Sequence, residues 1–335
     1  MENNGRISKP RNYAIDYMKF ISAVFVIMWH SISHIRGEYG CAFASWFTAI
    51  VSPIYLCVHI FIIISGYLNH KQALGKYYKN RFKKIIIPFW VFSALKIIYT
   101  VIISNDFAHA DSYLEMVLDA FVFGNLYWFS YCIFLILCIA PFLWMAFEKN
   151  RALSIVACFL LIGINVVREL IGWHPDWLGV FQFTTVIQYL PYFIFGIILQ
   201  LYKKEIDAIR KKIPKAVILT VSIVVYIAAY YMKEFLHLPF RYLMTSAQAV
   251  AVFFFLSVLC GYCKPNKLIV KLSSYSYQFM LIDSFTRVII LIVIDKLFTV
   301  NVYWMLPQVL LSVLACYIIC ELASRFRITR FLVGL

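Results

Sequence analysis

The sequence predicts an all-α, polytopic integral membrane protein with about ten transmembrane helices and both termini in the cytoplasm. Three observations predict it. The 335 residues are 63% hydrophobic and only 14% charged, with a mean hydropathy of +0.81. Apolar runs long enough to cross a hydrocarbon core recur along the whole chain. Of the 31 Lys and Arg residues, 23 fall in alternate loops and the two tails, against five on the opposite side. That asymmetry follows the positive-inside rule and puts the tails in the cytoplasm. It also explains the net charge of +15 without nucleic acid as a partner.

The spans are read at about 14–34, 46–69, 85–104, 125–147, 152–171, 180–202, 215–235, 242–262, 272–295 and 304–324. The first carries Asp16 and Lys19 and has no small-residue cleavage site, so it reads as a retained span. Loop 70–84 holds Lys71, Lys76, Lys79, Arg81, Lys83 and Lys84. Topology alone, or a cytoplasmic phosphate-rich ligand, accounts for that density. The segment 114–124 is amphipathic and too short to cross, which suits a helix lying along the outer surface. Loop 172–179 mixes Trp with polar groups, as a membrane-interface belt or a sugar-stacking surface would. No loop is long enough for a soluble domain, so residues 1–335 read as a single transmembrane domain.

Charged and imidazole groups inside spans are costly and mark candidate chemistry. Lys19 and His30 are 11 residues apart, roughly three turns, so they share one face of the first span about 16 Å apart. Asp16, three residues before Lys19, is placed to pair with it. A hydrogen-bonded core histidine and a catalytic base are both open for His30. His34 follows at i+4, but no Glu lies between the two histidines and no third ligand is evident. Cys260 and Cys263 form a CxxC without a second pair or a nearby His. No metal and no disulfide are therefore expected. Asp283 and Arg287 stand at i,i+4 in the ninth span and should pair with each other. Lys96, Glu321 and the Arg168–Glu169 pair have no partner readable from sequence. Ser65-Gly66-Tyr67 ends the second span, where the Gly permits close helix approach.

Together these stretches resemble the membrane-bound acyltransferase-3 family, whose members O-acylate cell-surface polysaccharides and related glycans. Lys19 and His30 match the family's basic residue, ten residues, then His, and Asp16 matches the Asp that precedes them. Phe61 to Tyr67, Arg81 to Pro88 and Leu126 to Phe129 resemble three further family stretches. Pro191 to Gly196 and Leu272 to Tyr277 resemble two later landmarks, so the likeness runs in order from about residue 11 to 290. It is similar to members of biofilm and capsule operons. Three positions depart from the pattern. His59 stands where many members have an acidic residue, Lys84 where an arginine is usual, and Asp283 where a His often stands.

The resemblance implies a bacterial cytoplasmic (inner) membrane enzyme that moves an acyl group, acetyl or succinyl, from cytoplasmic acyl-CoA to a glycan hydroxyl. It implies no resident cofactor, acyl-CoA being the donor substrate. It casts His30, Lys19 and Asp16 as catalytic, with Asp16 holding Lys19. Arg81, Lys83, Lys84, Ser65 and Tyr67 would hold the donor, and Trp128, Arg168 and Glu169 the acceptor. The acceptor would be a glycan or lipid-linked glycan, and polysaccharide synthase or export proteins are expected partners. A polysaccharide or lipid-linked sugar exporter without acyl transfer is the alternative; the absence of inverted repeats counts against it.

Overall fold

The structure, a computed structural model, describes residues 11–38, 40, 47, 51–99, 101, 113–122, 127–173, 182–236 and 240–335. Every regular element among them is helical. In chain order these are α1 (Tyr13–Glu38), α2 (Cys57–Tyr67), α3 (Leu74–Arg81), α4 (Ile87–Tyr99), α5 (Tyr113–Phe121), α6 (Trp128–Lys149), α7 (Arg151–Leu170) and α8 (Phe183–Leu201). They continue with α9 (Lys203–Lys212), α10 (Lys215–Glu234), α11 (Arg241–Leu259), α12 (Lys267–Ser274), α13 (Ser276–Leu297), α14 (Met305–Arg325) and α15 (Arg327–Val333).

Eight helical stretches among the described residues are long and apolar enough to cross a membrane: α1, α6, α7, α8, α10, α11, α13 and α14 with their flanking turns. The second and third predicted spans are described only in part. Residues Ser52–Tyr67 form a 3₁₀ turn leading into α2. A π-helical turn, Phe82–Ile86, joins the basic α3 to the apolar α4. Their expected flanks at 48–50 and 102–104 lie outside the described residues, as do 174–179 of the aromatic outer loop. The amphipathic segment forms the nine-residue α5, too short to cross.

Side chains set the helix ends. Asn150 caps α7 by accepting from Ala152 N, and Asn266 caps α12 by accepting from Leu268 and Ile269 N, as short polar side chains do at N-caps. The ninth span, read from 272, instead begins at Ser276, because the chain turns out of helix at Tyr275 (φ −95°, ψ 1°). That break aims Ser273 at α1.

α1 is the hub and packs against α2, α12, α13 and α14. One apolar cluster joins α2, α6, α8 and α11, including Ile60, Ile63, Phe193 and Ala249. A second joins α1 to α13 and α14 through Ala23, Ile27, Phe279 and Cys316. α10 packs on α11 and turns most of its length outward. The crossing of α2 and α8 is the tightest: a Cβ on Gly66 would overlap the Phe193 carbonyl, and one on Gly196 the Ile63 carbonyl. Two sequence landmarks, Ser65-Gly66-Tyr67 and Pro191–Gly196, thus meet backbone to backbone.

Candidate active site

α1 carries Lys19 and His30 on one face, as the 11-residue step requires, and each serves a different neighbourhood. His30 Nδ1 lies 2.9 Å from Asp283 Oδ2 on α13. Asp283 is fully buried, with 0% of its surface exposed, whereas the His30 side chain is 42% exposed. A carboxylate accepts, so the imidazole donates from Nδ1, leaving the Nε2 lone pair directed away from the pair. Arg287 Nε stands 3.5 Å from the same Oδ2, and its Nη1 donates to the His30 carbonyl at 3.4 Å. The expected Asp283–Arg287 pair is therefore present, and His30 is its third member. Asp283 Oδ1 has no hydrogen-bond partner among the described residues. Removing a partner from such a buried charge is costly, so the triad is held together tightly.

Among the described residues Asp16 makes no hydrogen bond or ion pair with Lys19. Arg11 grips its carboxylate with both arms, Nε at 2.7 Å and Nη2 at 2.9 Å, and Ser273 Oγ donates at 2.8 Å. A planar guanidinium matches both carboxylate oxygens, which a point-charge ammonium cannot do. The hydrogen bonds to Asp16 raise the Arg11 pKa above its ordinary value. Asp16 thus ties the start of α1 to the turn before α13, and Lys19 is left facing a cavity.

That cavity, of about 630 Å³, is lined by Lys19, Ser65, Arg81, Lys84 and the Ser273–Gln278 turn, with Arg330 and Gly334 from the C-terminal segment. Its apolar wall includes Phe61, Phe129 and Met280. Met280 precedes Asp283 by three residues on α13, about 4.5 Å along the helix. The cationic cavity therefore runs to within one turn of the His30–Asp283 pair. Two expected donor residues lie elsewhere: Lys83 Nζ stands 5.8 Å over the Phe331 ring, and Tyr67 lines a smaller cavity with Asn12 and Met18.

A second cavity, of about 370 Å³, lies between α2, α7, α8 and α11. Arg168 and Glu169 line it together with Tyr55, His59, Asn165 and Tyr189. Trp128 stacks on Tyr189, with centroids 5.6 Å apart, so the three residues expected at the acceptor converge here. Glu169 accepts from Tyr242 N at 2.8 Å, and Arg168 donates to the Thr184 carbonyl at 3.4 Å. Glu321, without a partner in sequence, accepts from Lys271 and Tyr275. Among the described residues no three His, Cys, Asp or Glu side chains are grouped to hold a metal.

Sequence reasoning missed Asp283 as the partner of His30. The two are 253 positions apart, beyond any spacing argument. The available signal was a carboxylate inside the ninth predicted span, at a position that departs from the family landmark. It also missed Arg11 and Ser273 as the partners of Asp16.

Helices of membrane-crossing length, with a carboxylate–imidazole pair one turn from a cation-lined cavity, define an integral-membrane protein with ionisable groups gathered inside its bundle. The sequence says which kind. Residues 12–324 match the acyltransferase-3 family, described as an acyltransferase domain, and the chain belongs to that family; it is a multi-pass membrane acyltransferase. No curated protein and no solved structure matches it.

Proposed function

We propose that the protein transfers an acetyl or succinyl group from cytoplasmic acyl-CoA to a hydroxyl of a cell-surface or lipid-linked glycan, in a bacterial inner membrane. The observation that carries this reading is the His30–Asp283 contact of 2.9 Å, one helical turn from a cavity lined by Lys19, Arg81 and Lys84. Those three cations suit the phosphates of a coenzyme A. Their cavity would lead a thioester inward, toward the His30 end of α1.

There His30 Nε2 takes the proton of the glycan hydroxyl as its oxygen attacks the thioester carbonyl. The tetrahedral adduct collapses, the carbon–sulfur bond breaks, and the leaving thiolate takes the proton from His30. Asp283 accepts from Nδ1–H throughout, which fixes the productive tautomer and stabilises the imidazolium while it exists. The glycan ester and the free thiol are the products.

Membranes containing the protein, supplied with acceptor glycan and radiolabelled acetyl-CoA or succinyl-CoA, test the reading. Label enters glycan with the wild type and not with His30→Ala, and the donor that works names the acyl group. A correctly inserted protein that transfers label from neither donor would sink the proposal in favour of an exporter.

A further inference from the structure

We propose that the second cavity binds a sugar carrying an anionic group beside its ring, a carboxylate or a phosphate, and seats it as the acceptor for His30. The acceptor role rests on the acyl-transfer reading; the binding chemistry does not.

Four features define the ligand. Asn165 is 3% exposed, and its Oδ1 has no hydrogen-bond partner among the described residues. Its orientation has a backbone cause. Pro191 has no N–H, so the Ile187 carbonyl four residues earlier loses its helical donor. Asn165 Nδ2 fills that vacancy at 3.0 Å and also reaches the Leu161 carbonyl at 2.8 Å. With both amide hydrogens engaged, the free carbonyl oxygen is an acceptor awaiting a hydroxyl, and leaving it unmet costs free energy.

His59, also 3% exposed, lines the same cavity with Nδ1 unpartnered. The Leu56 carbonyl is its backbone neighbour. The ring is boxed by Tyr55, Tyr189 and Tyr192 at 6.1, 5.1 and 4.7 Å. Such aromatic faces present the apolar surface against which the C–H face of a pyranose packs.

The charge is cationic. Among the described residues Arg241 lines the cavity and forms no ion pair, and Arg168 donates to a backbone carbonyl. On the acidic side, Glu169 is engaged by Tyr242 N–H, and Glu234 pairs with Lys233, whose Nζ also donates to Tyr55. Two guanidinium groups are thus available for an anion. The volume suits a small ligand.

The cavity adjoins the reacting pair. Trp29 contacts Tyr55 at 6.0 Å, and its chain neighbour His30 reaches Asp283. Tyr127 hydrogen-bonds Ser284, next to Asp283, at 2.8 Å, and its neighbour Trp128 stacks on Tyr189. Consecutive Cα atoms are about 3.8 Å apart. Two residue pairs therefore connect the cavity's lining to the acid–base pair.

Calorimetric titration of the detergent-solubilised full chain with glucuronic acid, glucose 1-phosphate and glucose tests this. The acidic sugar of the right type binds about tenfold tighter than glucose or better, and its affinity falls with added salt. Which acid prevails tells carboxylate from phosphate. Arg241→Gln, at an exposed position, and Asn165→Leu each weaken it about tenfold or more. Glucose binding as tightly as both acids, or Arg241→Gln leaving affinity unchanged, overturns the inference. Acidic-sugar binding in a protein that transfers no acyl group would keep the cavity's ligand and remove the acyl-transfer reading instead.

Discussion

At the residue scale, Asp283 decides whether His30 is a base or a core histidine. A histidine that merely satisfied a buried carboxylate would be enclosed with it, yet His30 is 42% exposed while Asp283 is sealed. Asp283→Asn replaces the carboxylate with a near-isosteric amide that can offer N–H to Nδ1, which moves the imidazole proton to Nε2 and removes the base. The expected outcome is a fall in kcat of about 10²–10⁴ with little change in KM for either substrate, since positioned acid–base catalysis contributes about that much. Combining it with His30→Ala should cost no more than His30→Ala alone, because the two act as a unit. A fully additive double variant in steady-state assays would separate Asp283 from the chemistry. Spacing made Lys19 and His30 legible in the sequence. It misled at Asp16, since i,i+3 proximity on a helix says nothing about a competing guanidinium five residues upstream, and Arg11 took both oxygens.

At the element scale, the eight membrane-length helices among the described residues are legible in the sequence because membrane length and hydropathy are strong, local signals. Their breaks are not. The π-helical turn at Phe82–Ile86 and the turn at Tyr275 depend on what each segment meets in three dimensions. The Gly66–Gly196 crossing lies between these cases: the motifs were visible, but not that they touch. Gly66→Ala and Gly196→Ala each push a methyl into a carbonyl of the opposing helix, and no rotamer change relieves a backbone clash. Each should destabilise by about 1–3 kcal/mol or more, read as a lower unfolding temperature in detergent. Gly163→Ala on α7, where a Cβ meets nothing within 4 Å, serves as the counterpart. It should hold or raise that temperature, given the helix propensity of Ala over Gly. Equal losses at all three glycines would show that close approach is not what these two residues supply.

At the scale of the whole molecule, the two cavities lie toward opposite ends of one bundle, and charge orients it. α1 begins where Tyr17 hydrogen-bonds the Lys264 carbonyl and where Asp16 meets Ser273. Arg81 and Lys84 line the same cavity as Lys19 and Ser273. Arg151 at the start of α7 pairs with Glu205 on α9, whereas Arg168 at the other end of α7 shares the second cavity with Tyr55 and Tyr242. The basic loops counted in the sequence therefore gather at the end that holds the Lys19 cavity, and by the positive-inside rule that end is expected to face the cytoplasm. Cys263 sits in the loop between α11 and α12 at that end and is exposed, while six other described cysteines are buried. In intact cells a membrane-impermeant maleimide should leave Cys263 unlabelled, and permeabilised cells should expose it, the signal being the difference from Cys263→Ser. Labelling of Cys263 in intact cells would turn the bundle over. The cationic cavity would then face away from cytoplasmic acyl-CoA, and the donor assignment would fall with it, even though the His30–Asp283 pair would remain where it is.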